Sequence, residues 1–406
     1  MSKLSVSTPL NGFFKGQTPA LLRLAFRGFF LLGALFAVAA VARWGLVLSG
    51  ISFTGIGAGG VINPVFWHAH EMLFGFGLAV VAGFLLTAVQ NWSGIPGVSG
   101  APLLLLLLTW GLARTVFWLQ ISTNVWVYIL PDLLFLLLAA FFLARPIVAK
   151  KLYRNLMFIL VLMLFAGLHT GSVYAVFDSQ FQVASQLLRA TLCVIVLLIS
   201  IVGGRVMPFF TARRLGTAPV QERLWQVALA NIPLLLIALA FVLGWQQTAS
   251  IRLLMGLVAL VQAVRFLRWW RSGLLAEPLL WSLYTAYAAL PMAFMVMAVY
   301  GFDRLEGRQA LHLLAISVVA GMILAMISRV SLGHSGRPLV ASKLMSWAFV
   351  ALCVSGLLRF LLPAYWPAQT LLAYQLSVLL FVAAFTGFVV CYWAVLTRRR
   401  SDGKPG

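Results

Sequence analysis

Acidic residues are scarce in this chain: eight Asp and Glu stand against 29 Lys and Arg in 406 residues. Charged residues of both signs reach only 9%, where a soluble domain carries about 25%, and that excludes a soluble globular protein. No stretch is polar enough to form a separate domain, so a tethered enzyme is excluded too. Residues 1–406 read as one polytopic membrane domain with tails at 1–20 and 398–406. Cysteine is sparse as well. Cys193, Cys353 and Cys391 each lie in an apolar run without CxxC spacing, which excludes a disulfide framework or a cysteine zinc site and leaves buried thiols in helix packing. The chain is polar up to Pro19, and the apolar run that follows is too long for a signal-peptide core. It reads as an uncleaved first span.

What is abundant is apolar sequence: 63% of residues are hydrophobic, with a mean hydropathy of +1.02. A spanning helix needs about 20 such residues. That window predicts an all-α protein with about twelve transmembrane helices, near residues 21–49, 66–90, 102–120, 124–149, 155–177, 185–210, 223–244, 249–270, 277–300, 307–331, 341–362 and 368–397. Basic residues sort with these spans. The tails and alternate loops on one side hold 22 of the 29, Lys3, Lys15 and Lys404 among them, whereas the opposite loops hold only Arg304 and Arg308. By the positive-inside rule both termini are cytoplasmic, as expected in a bacterial inner membrane. The net charge of +21 then faces anionic lipid headgroups rather than nucleic acid. The stretch Val80–Gly83 in helix 2 recurs as Val318–Gly321 in helix 10, with a looser echo at Ile201–Gly204 in helix 6. This is a hint of three four-helix units.

Five histidines are the informative residues. His68, His70, His169 and His312 fall in the half of the bilayer opposite the basic loops, on helices 2, 5 and 10, while His334 falls in a basic-side loop. An ionisable group inside a membrane is costly and marks function by default. Neutral imidazole suits haem iron and copper. Residues two apart on a helix point about 200° apart, so His68 and His70 cannot both serve one ion from a regular helix. Asn63-Pro64 upstream leaves room for a less regular start. The deeper His70 is the preferred haem ligand, opposite His312, with Gly75, Gly77 and Gly83 beside it for close approach. His68 and His169 remain as metal ligands for copper, and Glu71 is either an acceptor that orients a histidine on another helix or a group bonded to interface water. Arg43, Arg189, Arg252 and Arg359 are expected to snorkel individually, or together, with Arg189 prominent, to pair with haem propionates. Arg114 lies too deep to snorkel and is expected to pair with Asp132 on the next helix, while remaining a candidate cofactor contact.

These residues sit in stretches that resemble the NnrS family of bacterial membrane proteins. The resemblance spans essentially the whole chain. It is carried by Trp67-His68-Ala69-His70-Glu71-Met72-Leu73-Phe74-Gly75-Phe76, Ala82–Val89, Asn91-Trp92-Ser93-Gly94, Gly204–Thr211 and Arg329–Arg337, with Gln90 where many relatives have proline. It implies a haem- and copper-containing protein, with b-type haem, linked to nitric oxide metabolism and nitrosative-stress tolerance. It implies no agreed reaction and no electron donor. The helix count also resembles the catalytic subunit of haem–copper oxidases, in which helices 2 and 10 carry haem ligands. The chain has no adjacent His-His pair, and helices 6 and 7 have no histidine, so respiratory oxidase chemistry is not expected. The alternatives are a twelve-helix transporter or channel without redox cofactor, and a haem-based sensor or assembly factor. An uncharged loop between helices 2 and 3 counts against the first, and the want of a cytoplasmic output domain counts against the second.

Overall fold

The computed structural model describes residues 18–51 and 62–403. Lys3, Lys15 and most of the N-terminal tail lie outside them, as do Lys404 and the last two residues. Among the described residues there are no strands, and twelve helices are long and apolar enough to cross a membrane: α1 Ala25–Leu48, α2 Pro64–Ser93, α3 Ala101–Leu119, α4 Val125–Ala149, α5 Tyr153–Phe177, α6 Phe181–Leu215, α7 Leu224–Val242, α8 Ala249–Trp269, α9 Pro278–Tyr300, α10 Leu305–His334, α11 Lys343–Tyr365 and α12 Pro367–Thr397. The chain is a multi-pass all-α membrane protein. Each expected span is matched by one helix. The even count puts both ends on one face, where Arg27 of α1 donates to the carbonyls of Val395, Leu396 and Arg398 at the end of α12.

The helices are not equivalent. The apolar windows of α2, α6 and α10 are 78%, 78% and 72% buried, against 28–56% for the other nine. Those three are therefore central, and the rest face lipid. They are the second helix of each successive group of four, the same period as the faint sequence echo. They run to 30, 35 and 30 residues, and so exceed the expected bounds at 66–90, 185–210 and 307–331.

Two of the three central helices are irregular in the same way. α2 opens with an Asn63 cap, whose side chain accepts from the Val65 and Phe66 amides, and Pro64 at its first position. It is regular through His70 and then π-helical over Glu71–Gly77. α10 is regular through His312 and then π-helical over Leu313–Ala320. Such segments are rare in helices and frequent at functional sites. In both helices the wide turn starts directly after a histidine.

The turn from α9 to α10 is built on close backbone contact. Gly301 has φ +64°, and a Cβ on Gly307 would stand 1.6 Å from the Gly301 carbonyl oxygen. Backbone has no rotamer with which to yield. Gly307→Ala is expected to displace this turn and to cost about 1–3 kcal/mol or more, read as a lowered thermal midpoint. An unchanged midpoint would mean that the two strands of the turn are not in contact.

Candidate functional site

The α2 helix delivers its two histidines in opposite directions, as the regular geometry of residues 64–70 requires. His68 turns into a cavity of about 340 Å³ enclosed by α1, α2, α6, α10, α11 and α12. Its ring stacks on Trp44, with centroids 4.6 Å apart and planes within 13°. From across the cavity comes His312 of α10, within electrostatic reach of His68. Among the described residues the Nδ1 atoms of both rings are buried without a hydrogen-bond partner, an arrangement that ordinary packing avoids. The Nε2 of His312 accepts from Arg359 at 3.2 Å. Arg359 also donates to Gln309 and lies over the Tyr374 ring, 3.6 Å from its centroid. Arg189 of α6 also lines the cavity, with Asn63, Ser185, Tyr374 and Ser377, and no described carboxylate does. The result is an apolar chamber with two imidazoles and two guanidiniums.

His70 turns the other way, into a fully buried cluster between α2, α3, α4 and α5. Its Nε2 is 3.0 Å from Nδ1 of His169, and its Nδ1 donates to Oε1 of Glu71 at 2.9 Å. The ring stacks on Phe117, with centroids 4.0 Å apart. Arg114 bridges Glu71 and Asp132, donating to both carboxylates. His169 directs Nε2 at the Ile129 carbonyl, 3.4 Å away. Its Nδ1 lies 4.0 Å from Oδ2 of Asp132. Among the described residues the Oε2 of Glu71 has no hydrogen-bond partner.

Proton bookkeeping in this cluster points to a cation. A carbonyl only accepts, so His169 carries its proton on Nε2 and presents a lone pair at Nδ1. His70 gives its proton to a carboxylate and presents a lone pair at Nε2. Two lone pairs then face each other at 3.0 Å, beside two carboxylates and a single guanidinium. Two nitrogens that share one tetrahedral ion at about 2.0 Å each sit about 3.3 Å apart, within a few tenths of the spacing observed. His70, Asp132 and His169 form a group whose ligand atoms all lie within 4.8 Å of one another.

The sequence-derived candidates thus separate into two sites. His70 is brought to His169 and not to the cavity that His312 lines, whereas His68 is brought to that cavity. Arg114 meets Asp132 as expected and Glu71 as well. It belongs to the His70 cluster, while Arg189 lines the cavity. Glu71 orients its own neighbour His70 rather than a histidine on another helix. Gly75 and Gly83 are not openings for a ligand. A Cβ there would meet Phe36 at 2.5 Å and Phe29 at 2.7 Å, so they seat α1. Arg43 bonds the Trp118 carbonyl at 2.8 Å, and Arg252 the carbonyls of Ala298 and Val299 at 3.0 and 2.5 Å. Sequence reasoning missed Asp132 as a candidate ligand. The available signal was a carboxylate following Pro131 inside an otherwise apolar span. With the geometry in hand, comparison with known proteins is informative. Residues 20–400 match the family model described as NnrS protein. No curated protein matches the chain.

Proposed function

The chain belongs to the NnrS family, and from that premise we propose that it is a haem- and copper-bearing protein of the bacterial inner membrane that handles nitric oxide and supports nitrosative-stress tolerance. The basic face with both termini is assigned to the cytoplasm and the two histidine sites to the outer half of the bilayer. One observation carries the reading: two imidazoles with unpartnered buried nitrogens face one apolar cavity beside two arginines and no described carboxylate.

A b-type haem is a flat apolar body with two carboxylates, and those residues fit it. His68 and His312 would hold the iron, and Arg189 and Arg359 would take the propionates. A carboxylate is a stronger partner for Arg359 than a neutral imidazole, and that exchange frees Nε2 of His312. Trp44, Phe76 and Phe381 give the cavity apolar walls. His70, His169 and Asp132 would hold copper, with Glu71 fixing the orientation of His70 and Arg114 fixing both carboxylates. When bound, the haem iron and the copper would each supply one-electron redox capacity.

Optical and metal analysis of the detergent-purified protein tests this reading. A Soret band together with stoichiometric copper is the expected result. Protein that retains neither after expression with haem and copper supplied would leave a transporter or channel as the better account.

A further inference from the structure

The haem and copper sites leave the opposite end of the molecule unexplained, and with it two of the stretches that carry the family resemblance, Gly204–Thr211 and Arg329–Arg337. These meet in space. Arg329 of α10 lies over the ring of Phe210 of α6, with its guanidinium carbon 4.1 Å from the centroid. Its residue is only 5% exposed, and it makes no hydrogen bond or ion pair among the described residues. Arg213 and Arg214, one turn further along α6, are close enough for their charges to act on it, and so is Glu277, whose single negative charge is already engaged by Arg214.

The chain has no acidic side chain to spare for this arginine. All eight Asp and Glu are within the described residues. Glu71 and Asp132 are bound to Arg114, Glu222 to Arg265, Glu277 to Arg214 and Asp402 to Arg400. Asp178 and Asp303 belong to turns on the other face, and Glu306 to the first turn of α10 there. A charge buried without its counterpart is strongly destabilising, so a basic pocket of this kind calls for an external anion.

Position narrows the class. Arg329 is five residues from the end of α10 at His334, about 8 Å along the axis. That is the level at which phospholipid phosphates sit on the edge of the hydrocarbon layer. Phe209, beside Phe210, is 49% exposed and offers an apolar surface for acyl chains. We propose that Arg329 and Arg213 form a binding site for the phosphate ester of an anionic phospholipid in the leaflet at the basic face, clamping the ends of α6 and α10 together.

Native mass spectrometry of the full-length protein, with phosphatidylglycerol titrated into detergent, tests the site. The wild type is expected to retain one phosphatidylglycerol more firmly than the rest. Arg329→Gln should release it with about five- to tenfold weaker affinity. Lys343→Gln removes an exposed charge from the same face and should leave the retained lipid in place. Equal loss in Lys343→Gln, or full retention in Arg329→Gln, would overturn the proposal in favour of a diffuse surface field. Should Arg329→Gln not fold, Arg213→Gln carries the same comparison, because its side chain is exposed. Inorganic phosphate is the second arm. Protection of the wild-type thermal midpoint by inorganic phosphate but not by the lipid would show a soluble anion as the ligand and reject a headgroup.

Discussion

His68→Ala and His312→Ala are each expected to abolish the haem absorbance of the purified protein while leaving its membrane insertion and yield intact. Neither residue supplies the hydrophobic signal that makes α2 and α10 spans, and both rings line the cavity, each with a buried Nδ1 that has no partner among the described residues. His70→Ala and His169→Ala should do the reverse, keeping the haem band and lowering copper from stoichiometric to near zero. Glu71→Gln, which leaves all three copper ligands present, should weaken copper by about 10–100-fold, the usual effect of removing the group that orients a ligand. His334→Ala should alter neither metal, since it lies at the basic end of α10. The assignment rests on which way each ring turns. If His70→Ala destroys the haem band and His68→Ala does not, the haem is bound on the other side of α2, and the cavity has another occupant.

Arg114→Met is expected to be the most destabilising single substitution in the protein. One guanidinium satisfies two carboxylates, all three buried, and removal of one member of such a set costs about 3–5 kcal/mol because the remaining charge has no solvent. The loss should be asymmetric. Asp132→Asn leaves Arg114 paired with Glu71, whereas Arg114→Met strands both carboxylates. The triple variant Glu71→Gln, Arg114→Met, Asp132→Asn should recover most of the folded yield lost in Arg114→Met alone. Fluorescence-detected size exclusion in detergent measures this. A triple variant no better folded than Arg114→Met would show that charge is not what holds these helices together.

The contrast between the two sites shows what a sequence can carry. The twelve spans were legible because apolar runs of 20 residues have no other use in water or lipid. Their ends were less so for α2, α6 and α10, because protein rather than lipid surrounds those helices. The choice of His68, His70, His169 and His312 as the residues that matter was likewise legible, since an imidazole in an apolar span needs a reason. Their pairing was not. Depth favoured His70 as the partner of His312, but rotation about the α2 axis decides which neighbour a side chain meets, and rotation is fixed by packing against α1, α3 and α6. Arg114 and Asp132 could be paired because they are opposite charges set deep in the two neighbouring spans of one hairpin. Glu71, their third member, could not be added, because nothing in the sequence sets the height of α2 against α3.

The wide turns after His70 and His312 make the orientation of these histidines a matter of residue number. A π-helical stretch accommodates one residue more than the α-helix it interrupts. Deleting one residue within 71–77, or within 313–320, would restore the regular spiral and turn everything on its N-terminal side by about 100°, while the far half of the helix stayed docked. An insertion of a single codon is therefore enough to re-aim a ligand without disturbing the scaffold. Relatives in which one of these wide turns is missing should carry their histidine at a shifted position, so that the length of the turn and the place of the histidine vary together.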